Sequence, residues 1–439
     1  MRVAVIGAGI VGVTTAYELT VDGHEVTVFE RRASVAAEAS FANAGVVAPG
    51  YVTPWAAPGM PGKVLRHLFS RHAPVRLARP FPPALLAWIW RWWRACRLSV
   101  HQANRTSMIR LARYSQERMH GLSVALGLEY EQAPGMTVLL RSERDLAMAR
   151  DSIKLLAELG VNFHLIDAAR VRQIEPGLSS ETPLHAALHL PNAEVGNCRQ
   201  FAHLLRNEAQ RRGANFRFHR QVERIIPGAR PVLRHRALAR FESAQLAGAE
   251  VPTTLPEAEG SEEFDAVVVC AAMHSARLLV PLGLRLPMVA VHGYSVTAPL
   301  RDGGQDPLVG PRSALMDERY KIAISRLGNR VRVSGSAELG GTLETQNEAP
   351  LATLYKVLDD WFPGCAQQSK AQSWKGARPM MPDGPPLIGA SGHAGIWLNL
   401  GHGSSGWALA CGSARLLADT MAGRVPGVDA EGLGLDRLR

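Results

Sequence analysis

The sequence predicts an α/β fold in which a discontinuous Rossmann-type domain is joined to an α+β domain with a mixed or antiparallel sheet. Three observations predict this class. A strand–glycine–helix unit opens the chain, a similar unit closes it, and stretches between them alternate apolar and polar residues as strands do. Glycine-rich units at both ends imply that the first and last segments belong to one domain.

The opening unit is a dinucleotide-binding fingerprint. Gly7, Gly9 and Gly12 give the spacing G-x-G-x-x-G between the strand VAVI and a helical segment. The first glycine permits the turn, the second lets a pyrophosphate approach the backbone, and the third lets the helix pack on the strand. The next strand ends at Glu30, whose carboxylate is placed to bind ribose hydroxyls. This pattern disfavours NADP and is compatible with both NAD and FAD.

The closing unit favours FAD. A strand from Ile396 to Leu400 leads into a turn with Gly401, Gly403 and Gly406, and a long helix follows. A NAD site needs only one such turn, whereas FAD is long enough to be held at both ends. A helix N-terminus at the flavin edge would also stabilise the negative charge that develops on reduction.

Composition restricts the class of protein. A chain of 439 residues suggests two domains, and five scattered cysteines without C-x-x-C spacing argue for a reducing compartment, no disulfide framework and no metal site. No apolar stretch approaches the roughly 18 to 20 residues that span a bilayer. The N-terminus superficially resembles a signal peptide, but its glycine spacing favours the fingerprint. We therefore expect a cytoplasmic protein.

Five stretches carry a family resemblance: the two glycine units, "SFANAGVVAPGYVTPWAAPG", "RYKIAISRLGNRVRVSGSAE" and "WKGARPMMPDGPPLIG". Together they resemble the small-subunit family of bacterial D-amino acid dehydrogenases, which belongs to the D-amino acid oxidase and glycine oxidase group. The likeness extends from the first residue to about Arg424. It implies a D-amino acid oxidase-like fold, bound FAD, and oxidation of D-amino acids to 2-oxo acids and ammonia, with electrons passing to the respiratory chain.

The resemblance also implies site residues. Arg378 matches the arginine that binds the substrate carboxylate, a task that suits a bidentate guanidinium. Tyr51, Tyr294 and Tyr320 stand where they could line the substrate pocket. The predicted FAD-binding residues are Val3, Gly7, Ala8, Gly9, Ile10, Val11, Gly12, Glu30, Arg31, Ser40, Asn43, Ala44, Gly45, Gly401, His402, Gly403, Ser404 and Gly406.

The expected domains follow from these motifs. Residues 1–77, 197–284 and 372–439 are assigned to the FAD domain, residues 78–196 and 285–369 to the substrate domain, and 227–263 to a surface loop or added hairpin. Hydride transfer from Cα of a neutral amine to flavin N5 needs orientation and electrostatics rather than a catalytic dyad. Two alternatives stay open within the enzyme class: a D-proline or D-hydroxyproline dehydrogenase, and an oxygen-using amine oxidase.

A basic, tryptophan-rich interval predicts a membrane contact. Between Glu38 and Glu117 there is no acidic residue but eleven Lys or Arg, from Lys63 to Arg113, out of a net charge of +10. Within it, a helix at Pro83–Leu98 carries four tryptophans beside arginines, which suits the headgroup layer. We expect residues 63–113 to contact the cytoplasmic face of the inner membrane, where a quinone accepts electrons. The alternatives are a packing helix and, more remotely, a flavin-bearing nucleic-acid binder, although the confined charge argues against nucleic acid.

Overall fold

The structure, a computed structural model, describes residues 1–67, 72–238, 259–306 and 308–438. Its strands are β1 (Arg2–Ile6), β2 (Glu25–Phe29), β3 (Val46–Val47), β4 (Val75–Ala78), β5 (Ala133–Leu140), β6 (His164–Asp167), β7 (Ala186–Val195), β8 (Asn215–Arg217), β9 (Arg220–Ile226), β10 (Val232–Ala237), β11 (Glu259–Glu263), β12 (Ala266–Val269), β13 (Val289–Pro299), β14 (Ala314–Asp317), β15 (Ile322–Leu327), β16 (Arg330–Gly340), β17 (Gln372–Met380), β18 (Leu387–Ala390) and β19 (Ile396–Leu400). Its α-helices are α1 (Ile10–Val21), α2 (Met60–His67), α3 (Pro83–Ala95), α4 (Leu98–Leu126), α5 (Glu143–Glu158), α6 (Ala168–Ile174), α7 (Cys198–Arg211), α8 (Ser275–Leu279), α9 (Glu348–Trp361) and α10 (Gly406–Met421).

A six-stranded sheet joins the two ends of the chain, in the order β18–β19–β12–β1–β2–β8. All neighbours are parallel except β18 and β19. Because β12 pairs in parallel with both β1 and β19, the glycine turns that follow β1 and β19 lie at the same edge of the sheet. Helices α1, α7 and α10 pack on it through a core that includes Leu19, Phe201 and Leu417. The predicted Rossmann-type arrangement is confirmed.

A ten-stranded sheet forms the second layer, in the order β17–β13–β16–β15–β14–β5–β7–β3, with β4 beside β16 and β6 beside β7. Most pairs are antiparallel, but β14 pairs with β5 in parallel, so the predicted mixed sheet is confirmed. One face, here called the helix face, is covered by α9, where Leu354 and Trp361 pack with Val296 and Ile324. The opposite face, here called the cavity face, lines the site described below.

The sheets divide the chain differently from the expected domain boundaries. Strands β3 and β17 and all but the last residue of β4 lie within intervals assigned to the FAD domain, yet they pair in the ten-stranded sheet. Helix α4 lies within an interval assigned to the substrate domain, yet Leu111 and Met119 join the core around α1 and α10. Alternation of apolar residues identifies a strand but does not say which sheet it joins.

The expected insertion at 227–263 is described at its two ends. These ends form β10 and β11, which pair antiparallel and extend β9 into a three-stranded sheet. Residues 239–258 lie outside the described residues. All five cysteines are buried and free.

Candidate active site and dinucleotide cavity

A cavity of about 1800 Å³ lies between the glycine turns of the six-stranded sheet and the cavity face of the ten-stranded sheet. Most of the sequence-predicted residues line it. They are Gly7, Gly9, Ile10, Val11, Glu30, Arg31, Ser40, Asn43, Ala44, Gly45, Tyr51, Tyr294, Tyr320, Arg378, Gly401, His402, Gly403, Ser404 and Gly406. Val3, Ala8 and Gly12 are buried beside the cavity and do not belong to its lining.

The N-terminus of α1 opens on one end of the cavity. Gly7 adopts the left-handed φ of 99°, and a Cβ there would lie 2.8 Å from the Cys270 carbonyl oxygen. A Cβ on Gly12 would overlap the Gly7 carbonyl, so this glycine sets how closely α1 approaches β1. At Gly9 the nearest atom to such a Cβ is the Ser40 hydroxyl at 3.6 Å, which leaves this backbone accessible from the cavity.

Glu30 and Ser40 complete that end. The Glu30 carboxylate accepts hydrogen bonds from the backbone N–H of Ala8 (2.7 Å) and of Arg32 (2.8 Å), and Ser40 accepts one from Ile10 N (3.1 Å). Burial raises the pKa of Glu30 despite these bonds. A carboxyl group fixed beside an open helix N-terminus suits an adenosine ribose next to a pyrophosphate.

The N-terminus of α10 opens on the same cavity. Gly401 and Gly403 take left-handed φ angles of 77° and 56°, and a Cβ on either would press against Met381 or Met380. Between them, His402 is buried and its Nε2 lies 3.0 Å from the Ser413 hydroxyl. Burial lowers the pKa of His402 to about 3, so the ring is neutral at physiological pH.

Together the two helix ends fit FAD. Neither α1 nor α10 has an acidic residue in its first turn, and in neither helix does the N-cap residue make a capping hydrogen bond with its own side chain, although Ser40 accepts one from Ile10 N at the start of α1. Two positive helix ends on one cavity suit a molecule with an anionic centre and an electron-accepting ring. The residues placed to hold FAD are therefore those of the α1 turn, Glu30, the 40–45 loop and the α10 turn.

Arg378 lies on the cavity face of β17, and its guanidinium extends over the neighbouring strand. Its Nη1 donates to the carbonyl oxygens of Ser336 (2.9 Å) and His292 (3.4 Å), and its Cζ lies 5.9 Å from the Trp55 ring. Among the described residues, no carboxylate forms an ion pair with Arg378. Desolvation lowers its pKa to about 10, which still leaves it charged at neutral pH. An unneutralised cation in a cavity wall is suited to bind a ligand carboxylate.

The three predicted tyrosines do not share one environment. The Tyr51 hydroxyl donates to Glu318 at 2.9 Å, and burial together with Glu318 raises its pKa well above the usual value. The Tyr320 ring packs against Arg141, 5.1 Å from its Cζ. Tyr294 donates its hydroxyl to Glu338 at 2.9 Å on the helix face, away from Arg378, because it pairs with Lys375 rather than with Arg378 across the strands. All three tyrosines thus belong to the cavity lining, but the Tyr294 hydroxyl is bonded to Glu338 on the helix face.

Sequence reasoning missed the residues that shape the space around Arg378. Gly293 and Gly376 are directly opposite each other on β13 and β17. A Cβ on Gly293 would overlap the Arg378 guanidinium, and one on Gly376 would overlap the Trp374 ring. These two side chains therefore pack directly on the backbone of the two glycines. No sequence pattern predicts this packing, because it depends on the register between strands that are distant in the chain.

Helix α3 has a buried and an exposed side. Leu85 and Trp88 are buried, and Trp88 Nε1 donates to the Met380 carbonyl at 2.9 Å. On the other side Leu86, Trp90 and Trp93 are 71%, 57% and 53% exposed, next to exposed Arg91 and Arg94. No helix among the described residues is long and apolar enough to cross a bilayer.

Comparisons with known proteins agree with this geometry. The model of the DAO family, FAD dependent oxidoreductases, matches residues 2–420. A D-amino acid dehydrogenase of Rhizorhabdus wittichii is 40% identical over 439 residues, covering 100% of both chains. Another, of Cereibacter sphaeroides, is 42% identical over 439 residues, covering 100% of this chain and 95% of the relative.

Solved structures give the same fold at lower identity. Glycine oxidase from Geobacillus kaustophilus matches with a TM-score of 0.73 and 20% identity, covering 99% of this chain and 98% of that one. L-proline dehydrogenase from P. horikoshii matches with a TM-score of 0.69 and 16% identity, covering 100% and 97%. The family match spans both glycine units and the Arg378 strand, and the chain therefore belongs to the DAO family of FAD-dependent oxidoreductases.

Proposed function

We propose that the protein is a D-amino acid dehydrogenase that converts D-amino acids to 2-oxo acids and ammonia and passes the electrons to an acceptor other than oxygen. The observation that carries this proposal is Arg378, a cation without a carboxylate partner among the described residues, in the wall of the cavity that the FAD-binding turns also line. The full-length relatives named D-amino acid dehydrogenase support the substrate class.

The chain supplies binding and orientation. Arg378 binds the substrate carboxylate, and the Trp55 ring lies 5.9 Å from its Cζ on the cavity wall. FAD, when bound, accepts the two electrons that leave the substrate with the Cα hydrogen. The resulting imine is hydrolysed by water. The neutral His402 adds no positive charge of its own, so the α10 N-terminus is the source of positive potential at that end.

An anaerobic titration tests the reaction. D-Alanine and other D-amino acids are expected to bleach the flavin absorbance without oxygen, whereas the L enantiomers are not, and D-proline in the panel measures any preference for imino acids. Reoxidation of the reduced protein by a soluble dye, compared with air, separates a dehydrogenase from an oxidase. Equal bleaching by D- and L-alanine would contradict the proposal, and so would rapid reoxidation by air.

Replacing Arg378 by Ala tests the carboxylate site. We expect kcat/KM for D-alanine to fall by roughly 100-fold, or about 3 kcal/mol, with the flavin spectrum retained. Arg301→Ala, at an exposed arginine outside the cavity lining, is the matched control and should behave as the wild type. Unchanged kcat/KM in Arg378→Ala would remove Arg378 from the site.

The acceptor proposal concerns the α3 surface. Exposed Leu86, Trp90 and Trp93 lie beside arginines, and each arginine near an anionic leaflet adds about 1 kcal/mol of attraction. Lys63, Arg66 and Leu98 line the cavity and belong to the same basic interval. We infer that this surface lies on the membrane, and that a quinone there takes the electrons close to the cavity mouth.

Vesicle sedimentation tests the membrane contact. Anionic vesicles should bind the wild type at low salt and release the variant in which Trp90, Trp93, Arg91 and Arg94 are all replaced by Ser, while activity with a soluble dye is kept. The matched control replaces two exposed valines and two exposed arginines elsewhere, Val124, Val425, Arg150 and Arg170, and should still sediment. Equal sedimentation of both variants would show that α3 is a packing helix.

A further inference from the structure

A buried polar cluster lies on the helix face, directly behind the strands that hold Arg378. Its centre is the Glu338 carboxylate on β16, which accepts hydrogen bonds from Lys375 Nζ (2.7 Å), from the Tyr294 hydroxyl (2.9 Å) and from the Asn347 side-chain amide. Lys375 donates its other hydrogens to the carbonyl oxygens of Thr342 and Thr345, each at 2.6 Å. Glu338, Lys375 and Asn347 lie outside the cavity lining, and the Tyr294 hydroxyl donates to Glu338.

The cluster is buried, and its members are hydrogen-bonded to one another. The side chains of Lys375 and Glu338 are each only 1% exposed. Burial by itself raises the pKa of Glu338, but the hydrogen bonds from Lys375, Asn347 and Tyr294 outweigh it and hold the pKa below the ordinary value. Such a pair contributes little net stability compared with apolar packing, yet removing one partner is costly, so it mainly fixes one geometry.

The geometry that it fixes is a bulge in β16. His292 pairs with Glu338 and Tyr294 pairs with Gly335, so two steps along β13 face three along β16. At this bulge Ser336 adopts a left-handed φ of 61°, which is unfavourable for a residue with a side chain. The Ser336 carbonyl is the 2.9 Å hydrogen-bond acceptor of Arg378 Nη1. The orientation of the guanidinium therefore depends on the bulge.

The cluster joins β13 and β16, which form this bulge, to the neighbouring strand β17. Glu338 lies two residues after Ser336 on β16, Tyr294 lies two residues after His292 on β13, and Lys375 lies three residues before Arg378 on β17. Arg378 reaches across the cavity face while the cluster ties the same strands together on the helix face. A loss of the cluster would let the strands shift, and the two carbonyl oxygens that orient Arg378 would shift with them.

We propose that Glu338, Lys375 and Tyr294 are positioning residues for carboxylate recognition, which act by holding the β16 bulge that orients Arg378. The inference rests on the proposed function of Arg378 as the substrate-carboxylate ligand. It assigns to these three residues an effect on ground-state binding rather than on the chemical step.

Kinetics of FAD-loaded variants test it. In Glu338→Gln, which keeps the side-chain shape, KM for D-alanine should rise about tenfold or more, while kcat changes less than about threefold. Tyr294→Phe, a milder change, should raise KM less, and Lys375→Met should raise it in the same direction as Glu338→Gln. Propionate, which has the carboxylate of alanine and no amine, should perturb the flavin spectrum with a weaker Kd in all three variants.

A second buried carboxylate provides the control. Glu175 is fully buried and accepts hydrogen bonds from the backbone of Arg312 and Ser313, at the approach to β14 and outside the cavity lining. Glu175→Gln should lower the Tm as Glu338→Gln does but leave KM unchanged.

Three results would overturn the inference. The first is a wild-type KM in Glu338→Gln together with a Tm loss like that of Glu175→Gln, which means a purely structural role. The second is a KM that falls in Glu338→Gln and rises in Lys375→Met, which means that the cluster acts through its charges. If the wild type neither oxidises D-alanine nor binds propionate, the proposed function fails as well, which distinguishes that failure from the other two.

Discussion

At the scale of single residues, the Arg378 guanidinium has room on the cavity face because residue 293 is a glycine and has no side chain. The Arg378 guanidinium occupies the volume that a Cβ on Gly293 would need, and Gly376 gives the Trp374 ring the same room. The overlapping atoms belong to the far end of a flexible side chain. A substitution at Gly293 therefore displaces the Arg378 guanidinium more readily than it disrupts the sheet.

Gly293→Ala should separate binding from stability. We expect a rise of at least roughly tenfold in KM for D-alanine, because Arg378 must move, with a much smaller change in Tm. Gly121→Ala, at a helical glycine of α4 with open space around its Cβ position, is the control and should stabilise the fold by about 1 kcal/mol without any kinetic effect. A wild-type KM in Gly293→Ala would show that the guanidinium position is not critical.

His402 predicts an acid-sensitive stability. Burial lowers its pKa to about 3 from an ordinary 6.5, so the unfolded chain takes up a proton as the pH falls through 6.5 and the folded chain does not until about 3. The free energy of unfolding therefore falls by about 1.4 kcal/mol for each unit by which the pH decreases within that window. When the pH is lowered from 7.5 to 5.0, the unfolding free energy of the wild type should fall by about 2 kcal/mol more than that of His402→Gln. The same pH dependence of the unfolding free energy in both proteins would contradict this prediction.

At the scale of elements, helix α10, whose N-terminus opens on the cavity, depends on its contact with α4. A Cβ on Gly412 would lie 2.8 Å from the Ser115 Cβ and 2.9 Å from its backbone nitrogen, so the helices approach to backbone distance at this point. Ion pairs among Glu18, Arg118 and Arg415 tie α1, α4 and α10 together beside it. The two helices whose N-termini open on the cavity are thus held by a third.

Gly412→Val should push α4 and α10 apart. We expect a loss of about 1 to 3 kcal/mol in unfolding free energy from overpacking, and weaker FAD binding because the α10 N-terminus moves with its helix. Thermal unfolding and FAD titration of the apoprotein measure the two effects. Unaltered FAD affinity in a destabilised variant would mean that the α10 turn is positioned by β19 alone.

At the scale of the whole molecule, one cavity is bordered by segments from the beginning, the middle and the end of the chain. A ligand that contacts all of them links the two sheets and stabilises the folded state by mass action. FAD at 100 times its Kd would add about 2.7 kcal/mol.

Removing FAD should lower the Tm, and adding it back should restore the Tm. FMN, which lacks the adenosine half, should restore much less, because it cannot contact Glu30 and the α1 turn together with the α10 turn. Full rescue by FMN would show that the two helix ends do not hold one extended cofactor.

The sequence by itself determined the fold class and identified many of the residues that line the cavity. Local patterns suffice there: the glycine spacing around Gly7 and Gly401 is legible because each turn, with its strand and helix, is contiguous in the chain. Arg378 could be named from its motif.

The tertiary structure decided which side chains surround Arg378, that the Tyr294 hydroxyl faces the helix side, and that α4 packs on α10. The surroundings of Arg378 and the orientation of Tyr294 depend on strand register and on one bulge between β13 and β16, whereas the contact of α4 with α10 depends on helix packing. A shift of one residue in register moves a side chain to the opposite face, and no local pattern encodes the pairing of segments so far apart in the chain.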